Sequence, residues 1–363
     1  MTAADTPAAK LHVSGWAKAW AKARRSPLIV LGTLLAILAI VAVTAATIGA
    51  AGIPLHRLLA AAGLGAGDPD LIARDRLVLW SIRLPRIVLA SMVGALLAAA
   101  GAIMQGLFRN PLADPALVGV SSGGALAATM TIVIGDRLGW PLPFELLPIA
   151  AFVGSLSATT ALYSIATRES RTSAAIFLLG GLAIAALANA GIGLLVFVAD
   201  DRQLRDITFW MLGSLGGATW PKTLAIAPFA AGLVIAVPLI ARGLDLLVLG
   251  EAEAFHMGVE VERLKRSAIL LVSAITGAAV AVAGVIGFVG IVVPHLLRLM
   301  IGPGHRLLLP ASLVLGAILM VGADTGARML AAPAEVPIGI LTAAIGAPFF
   351  LAILLRQRSV ASL

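Results

Sequence analysis

The sequence contains no cysteine and few charged residues. The absence of cysteine excludes disulfide bonds, thiolate metal sites and a cysteine nucleophile. Only 12% of the 363 residues are Asp, Glu, Lys or Arg, whereas a soluble domain usually carries about 25%. Hydrophobic residues make up 60% of the chain, and the mean hydropathy is +1.04. These values are typical of a helical protein that crosses a membrane several times.

Ionisable residues are especially scarce in the apolar runs, and this scarcity limits the function classes. An intramembrane enzyme or a proton-coupled transporter needs ionisable groups at membrane depth, and a channel typically shows a filter sequence or charged rings. No GxxxxGK[ST] motif is present, so the chain cannot bind ATP through that loop. The formal charge of +8 fits basic residues facing an anionic leaflet, and no soluble basic surface for nucleic acid is evident.

Hydrophobic patterning predicts an all-α polytopic bundle. A membrane helix needs roughly 20 apolar residues, and the run 267–297 is too long for one simple span. Three glycines and a proline lie in its second half, so we divide it near 286–290 and predict ten membrane helices. The segments without Asp, Glu, Lys or Arg are 26–56, 87–108, 115–135, 146–167, 172–199, 223–241, 267–297, 307–323 and 336–355.

Basic residues precede the first run and follow the last, which predicts that both termini are cytoplasmic. We expect 1–26 to be a cytoplasmic N-terminal segment, 27–356 a single transmembrane domain and 357–363 a cytoplasmic tail. The predicted outer segments are 50–82, 136–145, 200–222 and 324–335, and the predicted cytoplasmic segments are 107–116, 168–173, 242–266 and 302–307. The glycine-rich, amphipathic segment 200–222 is expected to hold a short interfacial helix rather than a span.

The segment 242–266 is the most charged stretch inside the bundle, and its composition favours a helix. A loop that only connects two spans needs few residues. One interpretation is a coupling helix that inserts into a groove on a soluble motor subunit. The other is a solvated interfacial helix without a partner, and composition alone leaves both open.

Several collinear motifs carry a family resemblance. They are RLPR at 83–86, QGLFRNPLADPALVGVSSGG at 105–124, FWMLGSLGG at 209–217, LGEAEAFHMGV at 249–259, GFVGIVVPHLLRLMIGPGHRLLLP at 287–310, AD at 323–324 and EVPIGILTAAIGAPFF at 335–350. With these motifs the chain resembles the FecCD-type permease subunits of ATP-driven importers for haem, ferric siderophores or vitamin B12. The resemblance covers about residues 27 to 356.

The resemblance implies a transport subunit with no catalytic residues, located in the bacterial inner membrane. It implies ten helices per subunit and a homodimer whose path runs along the two-fold axis. Two ATPase subunits would bind from the cytoplasm, and a periplasmic binding protein would deliver the substrate. No cofactor and no metal site are expected on this chain. ATP and Mg are expected on the partner ATPase.

Three groups of site residues follow from the resemblance and from residue chemistry. An exposed guanidinium gives a planar fork that suits a carboxylate, and prolines on both sides of a turn stiffen it. The alternatives are an interfacial anchor for the arginines and an ordinary tight connection for the turn; Asp324 and Glu335 are expected to pair structurally with Arg328. Gly258 is expected to end a short helix in the coupling segment. The groups are Arg83, Arg86 and Arg328 for binding-protein docking, Asn110, Pro111 and Leu112 for a cytoplasmic gate, and Glu251, Ala254, Phe255, Met257 and Gly258 for ATPase coupling.

The substrate is inferred from resemblance alone. The segment 199–210, which includes Phe209 and Trp210, is most similar to permeases of bacterial haem importers. Haem is therefore the preferred cargo, and a ferric siderophore or vitamin B12 is the alternative. The alternative from a different class is an ion-coupled secondary transporter.

Overall fold

The computed structural model describes residues 26–49, 52–138, 143–168, 171–332 and 334–361. Its helices are α1 (Pro27–Thr47), α2 (Leu55–Ala61), α3 (Pro69–Val78), α4 (Leu84–Leu107), α5 (Val120–Arg137), α6 (Pro143–Ala166), α7 (Ala174–Val198), α8 (Asp201–Met211), α9 (Trp220–Leu247), α10 (Glu251–His256), α11 (Val261–Ala283), α12 (Val289–Ile301), α13 (His305–Leu330) and α14 (Ile338–Ala361). A π-helical turn, Leu79–Arg83, joins α3 to α4, and a 3-10 turn, Pro115–Val118, precedes α5. A two-residue pairing links β1 (Thr167–Arg168) to β2 (Arg171–Thr172).

The described helices offer ten apolar candidates for the predicted bundle of ten. Seven have the length and composition to cross a membrane, and apolar stretches of 10–17 residues lie in α5, α12 and α14. The long run 267–297 is broken at 284–288, close to the predicted point. Gly284 has a φ of +71°, which ends α11, and Phe288 has a φ of +69°, which begins α12. At 1.5 Å per residue the 13-residue α12 is only about 20 Å long, so it crosses part of a bilayer.

Helix α4 lies at the centre of the bundle, where it packs against α9, α11, α12 and α13. Its glycines allow this, because a Cβ at Gly94 would overlap the carbonyl of Gly316 in α13. A Cβ at Gly101 would likewise overlap the carbonyl of Gly290 in α12. Close backbone approach through small residues is the usual means of association between membrane helices.

The predicted outer segments meet at one end of the bundle. The Trp220 indole donates to the carbonyl of Trp80 at 2.8 Å, which ties α9 to the turn before α4. A short helix, α8, lies in the segment 200–222 as expected, and a capping box between Asp200 and Gln203 starts it. After α8 the backbone enters the bundle, where Ser214 N–H donates to Ala283 O at 2.9 Å.

The predicted cytoplasmic segments meet at the opposite end. They comprise the turn after α4, the β1–β2 pairing, α10 and the connection between α12 and α13. Contacts between Lys265 and Thr172 and between His305 and Asp245 hold these segments together. The structure therefore separates the two sets of predicted loops.

Candidate functional site

The predicted coupling segment contains a six-residue helix, α10, with well-defined ends. Gly250 precedes it with a φ of +128°, and Gly258 follows it with a φ of +86°. The N–H groups of Gly258 and Val259 donate to the carbonyls of Phe255 and Ala254, both at 3.0 Å. This is the Schellman arrangement, in which a left-handed residue ends a helix. The expectation that Gly258 ends the short helix is therefore confirmed.

Helix α10 is fixed to the bundle by one buried lysine. Lys265 Nζ lies 2.7 Å from a carboxylate oxygen of Glu251 and 3.0 Å from one of Glu262. It also donates to the carbonyl of Thr172 at 3.2 Å, so it joins α10, α11 and β2. Sequence reasoning found Glu251 but missed Lys265. The i,i+3 spacing of Glu262 and Lys265 was the available signal, and it pointed only to a local pair.

The sides of α10 differ in exposure. Ala254 is fully buried against the bundle, whereas Phe255 is 65% exposed and Met257 is 53% exposed. Val248 and Leu249, immediately before the helix, are also exposed. We call these four exposed apolar residues in and next to α10, Val248, Leu249, Phe255 and Met257, the coupling surface. An aromatic ring and a methionine held outward on a fixed helix suit insertion into a groove.

The predicted gate residues form a tight turn after α4. Asn110 N–H donates to Gln105 O at 3.2 Å, and the Asn110 side-chain oxygen accepts from Leu112 N–H at 2.9 Å. Arg109 has a φ of +50°, which lets the chain reverse immediately after the helix. Pro111 is exposed and Leu112 is partly buried. The turn is thus stiff, and its role as a gate stays a prediction.

A buried histidine connects this turn to the base of the coupling segment. His305 begins α13, and its Nδ1 lies 2.8 Å from Oδ1 of Asp245 in α9. The same Asp245 oxygen accepts from His305 N–H at 2.6 Å. The other face of the imidazole lies against Gly106, where a Cβ would overlap Nε2. The sequence placed His305 in a cytoplasmic turn but gave no indication of Asp245, which lies 60 residues away.

At the opposite end, the three predicted docking arginines come together with two acids. We call Arg83, Arg86, Arg328, Asp324 and Glu335 the arginine cluster. Arg83 donates to Ala46 O, and Arg328 donates to Ile48 O at 3.2 Å and to Ala45 O at 3.4 Å. These carbonyls belong to the last turn of α1 and the residue after it, where basic groups complement the helix dipole.

Arg86 is held by both acids. Its guanidinium contacts Asp324 at 2.9–3.1 Å, and it forms a forked pair with Glu335 at 2.7 and 3.0 Å. Asp324 also lies 3.3 Å from Arg328, so its expected pairing with Arg328 is confirmed. Glu335 contacts Arg86 instead, and the Arg86 hydrogen bonds hold the pKa of Glu335 below its usual value.

The expectation of fully exposed guanidinium groups is wrong. The side chains of Arg86 and Arg328 are 12% and 13% exposed, and Arg83 is buried as a residue. A long guanidinium side chain can lie along an apolar surface while its head bonds to carbonyls and carboxylates. Docking by these residues stays a prediction, and any partner carboxylate would reach them through the mouth of the cluster.

Comparisons with known proteins agree with this architecture. The FecCD transport family matches residues 34–356. The chain is 45% identical over 314 residues to the hemin transport system permease protein HmuU of Yersinia pestis, covering 83% of this chain and 94% of that one. It is 43% identical over 310 residues to the cobalamin import system permease protein BtuC of Halobacterium salinarum, covering 85% of this chain and 81% of that one.

A solved structure shows the same fold. It is an inward-facing metal-chelate type ABC transporter, which superimposes with a TM-score of 0.78 at 34% identity. The match covers 90% of this chain and 98% of the other. Family match, relatives and fold all point to one class of membrane subunit. The chain therefore belongs to the FecCD transport family, as a permease of the ATP-binding-cassette type.

Proposed function

We propose that this chain is the membrane subunit of a haem importer. Two copies enclose the path, two ATPase subunits bind at the coupling surface, and a periplasmic binding protein delivers haem at the arginine cluster. The observation that carries the haem assignment is the 45% identity to a hemin permease over 94% of that protein. A corrinoid is the second candidate, favoured by the 43% identity to a cobalamin permease, and a ferric siderophore is the third.

The coupling surface supports the proposed ATPase partner. Transfer of an exposed phenylalanine side chain from water into an apolar groove is favourable by roughly 1.5–3 kcal/mol when the burial is complete. Short helices inserted in grooves are commonly anchored by such side chains. The Lys265 contacts fix α10 before any partner arrives, so little ordering free energy is lost on binding.

The His305–Asp245 contact supports communication between the coupling segment and the gate. Asp245 lies five residues before Gly250, and Gly106 lies four residues before Asn110. His305 contacts both Asp245 and Gly106, so a displacement of α9 relative to α4 must move or break these contacts. We infer that ATPase movements at α10 reach the turn after α4 by this route.

Substrate identity is tested by reconstituting the permease with its ATPase in lipid nanodiscs. ATP hydrolysis is measured with the binding protein loaded in turn with haem, cobalamin or a ferric siderophore. We expect stimulation by the haem-loaded protein and haem uptake by matching proteoliposomes only when ATP is hydrolysed. Stimulation by the cobalamin-loaded form alone would replace haem with a corrinoid. Uptake driven by a pH gradient without ATP would favour an ion-coupled transporter.

The ATPase interface is tested with Phe255→Asp. A charge replaces the exposed ring, and loss of an aromatic anchor typically costs 2 kcal/mol or more, about 30-fold in affinity. We expect the ATPase to detach on size-exclusion chromatography and ATP-driven uptake to fall accordingly. The matched control is Phe209→Asp, which makes the same change at an exposed phenylalanine of α8, among the predicted outer segments, and should leave the ATPase bound. Full ATP-driven uptake by Phe255→Asp would refute the anchor assignment.

A further inference from the structure

The arginine cluster contains one more positive than negative group and surrounds a cavity of about 270 Å³. Three guanidinium groups face two carboxylates, and Arg83, Arg86, Arg328 and Glu335 line the cavity. A partner carboxylate entering this cavity finds a positive site whose charges are already largely neutralised. Its binding therefore depends on whether Asp324 or Glu335 is displaced from its arginine.

The two acids of the cluster differ in accessibility. The Asp324 side chain is 5% exposed and lies within α13, where it contacts both Arg86 and Arg328. The Glu335 side chain is 44% exposed and lies on the connection before α14. Glu335 contacts Arg86, whereas Asp324 is enclosed between two arginines. Glu335 can therefore move away from Arg86 into solvent. If Arg86 separated from Asp324 instead, the Asp324 carboxylate would stay buried and lose one of its arginine partners.

The donors of Arg86 are divided between the two acids. Nε and Nη2 face Asp324, while Nη1 and Nη2 face Glu335 in a forked pair. A forked pair is the geometry in which an external carboxylate binds a guanidinium. The Nη1 edge of Arg86 is thus both the edge that a partner acid needs and the edge that Glu335 occupies.

We propose that Glu335 is an internal competitor for the partner's carboxylate. It fills the outward edge of Arg86 while no binding protein is docked, and an acidic side chain of the partner displaces it on docking. The exchange replaces one carboxylate by another, so it keeps Arg86 neutralised throughout and makes docking weaker and more readily reversible. This inference rests on the proposed docking of an acidic partner at the arginine cluster.

The test is Glu335→Gln in the full permease–ATPase complex. The variant keeps the side-chain volume and removes the competing charge. Binding of the periplasmic binding protein is measured by biolayer interferometry at low and physiological salt. Exposed ion pairs are worth up to about 1 kcal/mol, so we expect affinity to rise about two- to five-fold, mainly through slower dissociation. Damage to the fold would lower affinity, so a gain separates competition from disruption.

Two matched variants complete the test. Asp201→Asn removes an exposed acid of α8 on the same predicted outer side, so it measures the general charge repulsion between permease and binding protein. We expect a smaller change in affinity than for Glu335→Gln. Glu335→Ala should tighten docking like Glu335→Gln, and it serves if the glutamine variant is unstable. If the wild type docks normally but both Glu335 variants dock with unchanged or lower affinity, the competitor role of Glu335 is overturned and the docking proposal stands. Failure of every form to bind the protein would overturn the docking proposal as well.

Discussion

Helices α4 and α7 are nearly identical in length and hydropathy, yet they lie in opposite environments. Their most apolar windows have mean hydropathies of 2.3 and 2.2. In the most apolar 18 residues of the helical stretch Pro69–Leu107, which ends with α4, 78% of residues are buried, against 17% in those of Ala175–Val198 in α7. Hydropathy therefore indicates that a helix is compatible with lipid, but it does not indicate which helix lies at the centre of the bundle. A more specific property must place α4 at the centre.

That property is what the glycines of each helix touch. Gly94 and Gly101 of α4 lie against backbone carbonyls of α13 and α12. Among the described residues, a Cβ at Gly180 in α7 would meet only the end of Leu162 at 2.7 Å, and nothing lies within 4 Å of one at Gly193. A backbone carbonyl cannot rotate away, whereas a leucine terminus can. At these positions a glycine thus constrains helix packing only where it lies against the backbone of another helix.

The largest effect is expected from Gly101→Ala. The new methyl would overlap Gly290 O, so α4 and α12 would have to separate. Overpacking of this kind costs about 1–3 kcal/mol and sometimes more, and a backbone neighbour places this site at the upper end. We expect a clear fall in the thermal midpoint in detergent, measured by fluorescence-detected size-exclusion chromatography. Gly193→Ala is the control; its methyl meets no described atom within 4 Å, so its midpoint should equal or slightly exceed that of the wild type.

A wild-type midpoint for Gly101→Ala would contradict the close contact between α4 and α12. Equal destabilisation by the two alanine variants would remove the proposed distinction between α4 and α7, because it would show that any added methyl disturbs the bundle. A double variant, Gly101→Ala with Gly193→Ala, should shift the midpoint by the sum of the two single-variant shifts, since the two sites lie on different helices and act independently.

Much of the fold could be predicted because its signals are local. The scarcity of charge located the apolar runs, and glycines with a proline located the break at 284–288. The charged segment 242–266 contained α10, and Gly258 ended that helix as expected. Each of these features depends on residues close together in the chain, which is the range over which single-sequence patterns carry information.

The missing parts of the site depend on distant pairs. Arg86 and Asp324 are separated by 238 residues, and Gln105 and Arg298 by 193. No local pattern selects such a partner, so the arginines were expected to be exposed and Glu335 was assigned to Arg328. The same limit explains why Lys265 was missed as the residue that fixes α10. Packing of whole helices, rather than residue spacing, determines these contacts.

A second difference between the helices concerns their amides. Gln105 of α4 is buried, donates to Gly290 O at 2.9 Å and accepts from Arg298. Asn189 of α7 is exposed. Gln105→Leu would leave a carbonyl and a guanidinium without these bonds, at a cost of about 1–3 kcal/mol. We expect its thermal midpoint to fall and that of Asn189→Leu to stay near the wild type; the reverse order would contradict the burial difference.

The smallest effect is expected from Gly191→Ala in α7. A Cβ there would meet Leu126 Cδ1 of α5 at 2.9 Å, and a leucine terminus can rotate to make room. Alanine also favours the helix by about 0.5–1 kcal/mol relative to glycine, so the two terms offset and the midpoint should move little. The measurement is most informative in the proposed homodimer, because a second copy packed on this part of α7 would hold Leu126 in place. A loss comparable to that of Gly101→Ala would therefore contradict the peripheral position of α7 in the working assembly.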